Sequence, residues 1–390
     1  MKLKRIVSLL TVLILVIAAT LTFAACDTEE EETVTETGII YTLKKDTSLS
    51  GEGYYGHATV KKYVLDEEHL EYLESGNYAD HLLSVEIASE YTDPKTGYKY
   101  KVTAIDDGAF ANQLLIEKVV VPSSIETIGG GFLSGCNNLK ELTVPFAGNK
   151  VGAKNEKKNL AYVFGTTSSI GSYSCVAYHN SGDNDNTTAF FVPSSLKKIT
   201  VTGDVISEYA FSGLDVEEIV ISSTEITEIP EGAFYGVRGI REITLPTSIT
   251  KIGNYAFKNS TSVYRINLQA LTGLTSVGIE AFYGCSNLGY SDNYTFTLPS
   301  TVSAIGKNAF YNCVELVNVD FSATAITAVP EDAFYGCSKL AQVKLPAGVT
   351  IAKGAFLSCD KLEKENFLIG GATITADEKY AGVFNYDFFD

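Results

Sequence analysis

Seven cysteines, four histidines and one run of acidic and amide residues are the side chains here whose type and spacing could do chemistry. Cys136, Cys285, Cys313, Cys337 and Cys359 each follow a phenylalanine by three or four residues. Thiols at regular intervals allow two readings. One is a disulfide framework or a metal site, because thiolates bind zinc. The other is a column of buried thiols acting as small hydrophobes. There is no Cys-x-x-Cys pair, so zinc is disfavoured and the buried column is expected. Cys175 stands outside the series and is the candidate for a reactive thiol. His57, His69, His81 and His179 accompany no nucleophile motif, and neither Gly-x-Ser-x-Gly nor His-Glu-x-x-His occurs. Ser181 to Asn186 (SGDNDN) suggests calcium. Counted from Asp183, the sixth position is not glycine and the twelfth is Ser194, so an EF-hand fails. Glu217/Glu218 and Asp377/Glu378 read as ordinary surface charge. No catalytic residue, metal ligand or cofactor is expected, and the chain is not read as an enzyme.

The elements that would position any such group begin after a targeting segment. Residues 1–5 are basic, Ile6 to Leu21 is almost wholly apolar, and Phe23-Ala24-Ala25-Cys26 follows. That is a secretory signal over 1–25. The apolar stretch is short for a bilayer core, which needs roughly 20 apolar residues. The Ala-Ala-Cys ending resembles a bacterial lipobox, with Phe23 departing from the usual leucine. The resemblance implies that the Cys26 thiol receives lipid and becomes the mature N-terminus. Residues 26–37 then read as the lipidated cysteine and an acidic tether. Glu29 to Glu32 repel one another, so no packed structure is expected there. A flexible tether of this length spans roughly 20 Å. The formal net charge is -17 at pH 7, and it grows more negative once Lys2, Lys4 and Arg5 leave with the signal. Such a surface repels phosphate backbones, so nucleic acid is excluded as a partner.

The remainder is periodic. Ala-Phe pairs end at Phe110, Phe211, Phe234, Phe257, Phe282, Phe310, Phe334 and Phe356, and from Phe211 onward they lie 22 to 28 residues apart. Gly131-Phe132 and Val163-Phe164 are degenerate copies. Leu316, Val319 and Phe321 give an L-x-x-L-x-L pattern whose end alternates with period two, which predicts a short strand. Proline often follows (Pro122, Pro145, Pro246, Pro299, Pro346) and stops the strand. A second apolar pair comes next, as in Ile249/Ile252, Val302/Ile305 and Ile326/Val329, and then Gly or Pro turns the chain. This period is that of a leucine-rich-repeat solenoid: mainly β, with short parallel strands and short helical turns. No coil buries its apolar side alone, so the coils must stack and both ends need caps. Ten coils at ~4.8 Å make a rod of roughly 50 Å.

The recurring I-x-x-I-[GP]-x-x-A-F-x-x-C-x-x-L-x-x-[VI]-x-[LV]-P over about 102–364 resembles the BspA-like leucine-rich-repeat surface proteins of bacteria. The resemblance implies a non-enzymatic cell-surface lipoprotein that binds or adheres to a protein partner of a host, a neighbouring cell or its own envelope. The alternative it leaves open is a structural or assembly protein of the cell envelope. Leu160 to Gly165, followed by Val192 to Leu196, looks like an insertion-bearing repeat, with the insertion at 147–191.

Strand alternation assigns the outward residues. One column reads Lys118, Glu141, Lys198, Glu218, Glu242, Arg265, Thr295, Asn318, Gln342. Its neighbour runs through Thr143, Thr200, Thr244, Asn267, Thr297, Asp320 and Lys344. These are the candidate binding residues. Their mixed charge and lack of aromatics argue against a sugar platform.

Residues 38–101 read as an N-terminal cap. It comprises an alternating Gly38 to Leu43, a helical Leu65 to Leu73, and strands at Leu83–Ile87 and Tyr98–Val102 joined by the Asp93–Gly97 turn. Residues 365–390, with Phe384, Tyr386 and Phe388, read as the C-terminal cap.

Overall fold

A computed structural model of the chain describes residues 31–34, 38–76, 79–178, 187–290, 294–375, 380–385 and 388. Each repeat makes one coil with three sides. On the first side, β4 (Leu83–Glu86), β7 (Ile116–Val120), β9 (Glu141–Val144), β12 (Lys198–Val201) and β13 (Glu218–Ile221) form a parallel sheet in that order. It continues as the pair β15 (Glu242–Ile243) and β17 (Arg265–Ile266). The last stretch is β19 (Thr295–Thr297), β21 (Asn318–Asp320), β23 (Gln342–Leu345) and β25 (Phe367–Ile369), closed by antiparallel β26 (Ala372–Thr373).

The second side is narrower. β14 (Glu228–Ile229), β16 (Lys251–Ile252), β18 (Ser276–Val277) and β20 (Ala304–Ile305) run parallel, and β22 (Ala328–Val329) pairs with β24 (Thr350–Ile351). The apolar member of each strand is buried, save Ile351 of β24, which is partly so, and its neighbour is mostly exposed, as period-two alternation requires.

The Ala-Phe turn is the third side. The Phe N–H donates to the alanine carbonyl of the next coil, at 2.7 Å for Phe234 to Ala256 and 2.8 Å for Phe310 to Ala333. The phenyl rings form a column. Phe234, Phe257, Phe282, Phe310, Phe334 and Phe356 stack nearly parallel at 5.0, 5.1, 5.4, 5.1 and 5.2 Å between centroids. Tyr63 opens the column over Phe110 at 5.2 Å, and Phe384 closes it over Phe356 at 5.7 Å. Backbones meet at the paired alanines, which is why the residue beside each Phe is small. The residue before Ala-Phe must turn through the left-handed region. Gly232 and Gly354 do so without strain, while Tyr209, Tyr255, Glu280, Asn308 and Asp332 do it at φ between 53 and 57°.

The N-terminal region forms a second sheet: β1 (Glu31–Val34), β2 (Ile39–Lys45), β3 (Gly56–Tyr63), β6 (Lys99–Ile105) and β5 (Glu90–Thr92). Through β6 it joins β8 (Thr127–Ile128) of the coils. Helix α1 (Glu67–Ser75) is capped by the Asp66 carboxylate, which accepts from the His69 N–H at 2.9 Å.

Two expectations change here. The 27–37 segment is not without structure throughout: Glu31 to Val34 pair antiparallel with Leu43 to Ile40. Without β1 the main-chain groups of β2 on that edge would lie unpaired, and that outweighs the polarity of the segment. The Asp93–Gly97 turn joins β5 to β6 and does not reach Leu83–Ile87, because β4 pairs in parallel with β7. The coil stack thus starts upstream of residue 102.

The insertion is carried without breaking the stack. Leu160–Phe164 is itself a third-side turn: Gly131 N–H donates to Tyr162 and Leu160 N–H to Ala210, at 3.0 and 2.8 Å. Asn159, wholly buried, bolts the splice. Its Nδ2 donates to the Tyr209 carbonyl at 2.8 Å, and its Oδ1 accepts from Ala161 N–H at 2.7 Å. The excursions are 147–158 and the hairpin β10 (Ser172–Tyr178) with β11 (Thr187–Pro193).

The Phe column is the main apolar contact between coils. Phe310→Ala should lower stability by about 3–5 kcal/mol, measured by urea unfolding. A loss under about 1 kcal/mol would show that the rings merely fill space other side chains can take.

Candidate functional site

The cysteine series is buried and unpaired by disulfides among the described residues. Each thiol also does something the spacing alone did not show. Cys136, Cys285, Cys313, Cys337 and Cys359 donate Sγ–H to the carbonyl of the Phe one coil earlier, at 3.0, 2.9, 3.2, 3.1 and 3.2 Å. Ser260 holds the equivalent place after Phe257 and donates to Phe234 at 2.5 Å. Leu214 and Val237 hold the same place after Phe211 and Phe234, so the position takes a compact side chain and, in six coils, a donor. Burial pushes the thiols of Cys136, Cys285 and Cys359 up to about 12, and those of Cys313 and Cys337 well above their usual value.

Cys175 is not the reactive thiol expected of it. It is wholly buried between the hairpin and the coil at Phe211, its Sγ lies 3.5 Å from the Ser212 carbonyl, and desolvation pushes it up to about 12.

The structure does bring one histidine to a hydroxyl. His57 Nε2 lies 3.1 Å from Asp46 and its Nδ1 3.2 Å from Thr103 Oγ1. Thr103 is buried within the cap, so no substrate reaches its oxygen, and Asp46 is already engaged by Ser48. His69 pairs with Asp66, and His81 stacks on Tyr72 at 3.6 Å. His179 and the 181–186 loop lie outside the described residues, as does Cys26. No group of three His, Cys, Asp or Glu could hold a metal ion among the described residues.

The candidate binding residues fall where strand alternation puts them. Lys118, Glu141, Lys198 and Glu218 are consecutive partners across β7, β9, β12 and β13, with Thr143 and Thr200 in register beside them. Glu242 faces Arg265, and Thr295, Asn318 and Gln342 align, as do Thr297, Asp320 and Lys344. Thr244 and Asn267 lie just past the ends of β15 and β17. Asn267 turns inward. Its side chain bonds the N–H and carbonyl of Leu245 at 2.8 and 2.9 Å, doing the work of missing strand pairing.

The charges cancel within the face. Lys118–Glu141, Lys198–Glu218, Arg265–Glu242 and Lys344–Asp320 pair at 3.0, 2.8, 3.4 and 3.5 Å. A second ladder beside it joins Lys140–Glu117 and Lys197–Glu217 at 2.8 and 2.9 Å. The face is thus close to neutral on a chain of net charge -17. Its exposed pairs set register between coils more than they add stability.

Another feature went unread in the sequence. Ala-Phe is followed by tyrosine at Tyr235, Tyr283, Tyr311 and Tyr335. Tyr283, Tyr311 and Tyr335 stack at 4.7 and 4.8 Å with their planes within 8°, half-buried on the third side. The recurring Ala-Phe-Tyr was the signal that could have found them.

A family model described as a BspA type leucine rich repeat region matches in six copies, over residues 96–174, 184–291 and 267–378. No curated protein matches the chain. Similar solved structures include a leucine rich cell surface protein of Faecalibacterium prausnitzii A2-165, 19% identical at a TM-score of 0.35, covering 92% of this chain and 99% of that one. A leucine-rich repeat protein of Bacteroides ovatus ATCC 8483 is 18% identical at 0.39, covering 90% and 72%. One from Eubacterium ventriosum ATCC 27560 is 20% identical at 0.37, covering 90% and 97%. No helix among the described residues is long and apolar enough to cross a membrane.

Burial of the thiols has a chemical consequence. A thiol reagent at pH 8 should modify none of the six coil and hairpin cysteines in the native chain and all six in denaturant; labelling at native rates comparable to a free thiol would disprove the burial. The pH dependence has a defined sign. A thiol whose folded pKa is raised favours the folded state below its unfolded value near 9, and that contribution is lost as pH rises toward about 12. Thermal midpoints should therefore fall across pH 9 to 12, and less steeply when Cys285 is replaced by Ser.

Proposed function

The chain belongs to the BspA-type leucine-rich-repeat family, and on that premise we propose that it is a non-enzymatic cell-surface lipoprotein. It is anchored by lipid on Cys26 at the outer face of the bacterial membrane and binds or adheres to a protein partner. The observation that carries this reading is the outward register of Lys118, Glu141, Thr143, Lys198, Thr200, Glu218, Glu242, Arg265, Thr295, Thr297, Asn318, Asp320, Gln342 and Lys344 over successive coils. A repeat stack holds such residues in one extended, rigid array. Extended arrays suit protein surfaces better than small molecules, which need concave, largely enclosed sites.

Balanced charge has a further implication. A neutral face on an acidic molecule does not rely on long-range steering, so its selectivity comes from matching individual pairs and hydrogen-bonding threonines. Solvent-exposed charge pairs must be opened to engage a partner, and their modest strength makes that feasible.

Lys198→Ala combined with Glu242→Ala should weaken capture of a protein partner by the purified chain by about 2 kcal/mol in total while leaving circular dichroism unchanged. Unaltered capture by every column variant would rule out this face. Labelled fatty acid should be incorporated by cells expressing the chain and lost in Cys26→Ser; equal incorporation in both would refute the anchor.

A further inference from the structure

We propose that the tyrosine ridge on the third side of the coils, Tyr235, Tyr283, Tyr311 and Tyr335, docks a lysine- or arginine-bearing segment of a partner protein. The proposal rests on the reading of this solenoid as protein-binding, and it moves the contact away from the strand columns.

The ridge is ordered before any partner arrives. Tyr283, Tyr311 and Tyr335 are stacked at 4.7 and 4.8 Å, so little side-chain freedom remains to be lost on binding. Tyr311 spends both faces on its neighbours, and Tyr283 and Tyr335 spend one each, so the row turns edges and hydroxyls to solvent. That geometry excludes stacking of a sugar on them. Among the described residues, the Tyr283, Tyr311 and Tyr335 hydroxyls bond to no other side chain. An apolar edge ending in a phenol oxygen suits a long aliphatic stem with a cationic head.

Charge agrees with that shape. Asp332 lies beside Tyr311, and Glu280 reaches Tyr283 through Lys258, with which it pairs. Glu280 and Asp332 also occupy the left-handed position at φ 53 and 54°, where glycine stands in other coils.

The protein carries one internal example of the contact on the ridge and one beside it. In the coil where lysine replaces the tyrosine, Lys258 Nζ lies 4.8 Å from the Tyr283 ring and 5.3 Å from Tyr255, closed by Glu280 at 2.5 Å. Lys158 repeats the arrangement over Tyr209 at 4.9 Å, with Glu208 at 3.0 Å. At Tyr283 the chain lays its own ammonium group beside a carboxylate, and it does the same at Tyr209 off the ridge.

The test uses the full chain and a fluorescent peptide of alternating lysine and serine, with a glutamate–serine peptide as control, followed by anisotropy at physiological salt. The combined change Tyr283→Leu, Tyr311→Leu and Tyr335→Leu leaves net charge untouched, so a loss reports the ridge rather than bulk attraction. About a tenfold weaker affinity is expected. Asp332→Gly relieves the left-handed strain and so retains the fold; it should raise the thermal midpoint and still weaken binding severalfold. Glu218→Gln with Glu242→Gln on the strand face should change affinity far less than the ridge variants. The proposal is overturned if the wild-type chain ignores the lysine peptide, if the tyrosine variant binds as well as wild type, or if strand-face variants lose as much as ridge variants. Capture of a protein partner that survives all ridge changes would sink the ridge alone and leave the protein-binding reading intact.

Discussion

From Phe211 onward every coil of this protein buries one phenylalanine against the phenylalanine of the coil before it, and that contact sets the terms for everything else. A ring of this size fills the interior of one coil, but its two faces lie open until a neighbour covers them. A single coil therefore has no stable interior, and stability accumulates along the stack. The near-constant ring spacing of 5.0 to 5.4 Å through the regular coils follows from the strand spacing on the other two sides. The same logic explains the ends. Tyr63 covers the first ring and Phe384 the last, so each end of the column is closed by one aromatic.

A column this tight leaves main-chain groups that must be satisfied without extra bulk. The Phe carbonyl accepts from the small donor of the next coil, which is cysteine in five coils and serine in one. A buried thiol is a modest donor and a good apolar filler, so it meets both demands at once. This also accounts for cysteines that stay free of disulfides among the described residues. The burial that makes them useful keeps reagents away. The insertion obeys the same rule: Asn159 supplies the bonds that a directly following coil would have supplied.

Freed from stability, the outer faces divide into distinct surfaces. Along the strand columns each cation meets an anion of the adjacent coil, which fixes register and leaves a face without net charge. On the third side a tyrosine ridge is bordered by carboxylates. One solenoid thus presents two chemically different strips, and a partner that fits one does not fit the other.

Much of this was legible from residues alone. Ala-Phe…Cys…Leu spacing specified the coil, and period-two alternation assigned Lys118, Glu141, Lys198 and Glu218 to one column, because a repeat translates local pattern directly into position. The Leu65–Leu73 stretch was readable as a helix from its spacing and acidic start. What the sequence could not determine is pairing over distance. That Glu31 to Val34 would leave the tether and join β2, or that β4 would join the coils and not the hairpin, depends on which strand edge lacks a partner once the chain has folded. Ion pairs between columns and the stacking of Tyr283 on Tyr311 likewise arise only when coils 28 residues apart come within a ring's width of each other. Local spacing determined the coil in this protein; the contacts between coils, which depend on unmet hydrogen bonds and open ring faces, were decided by the tertiary structure.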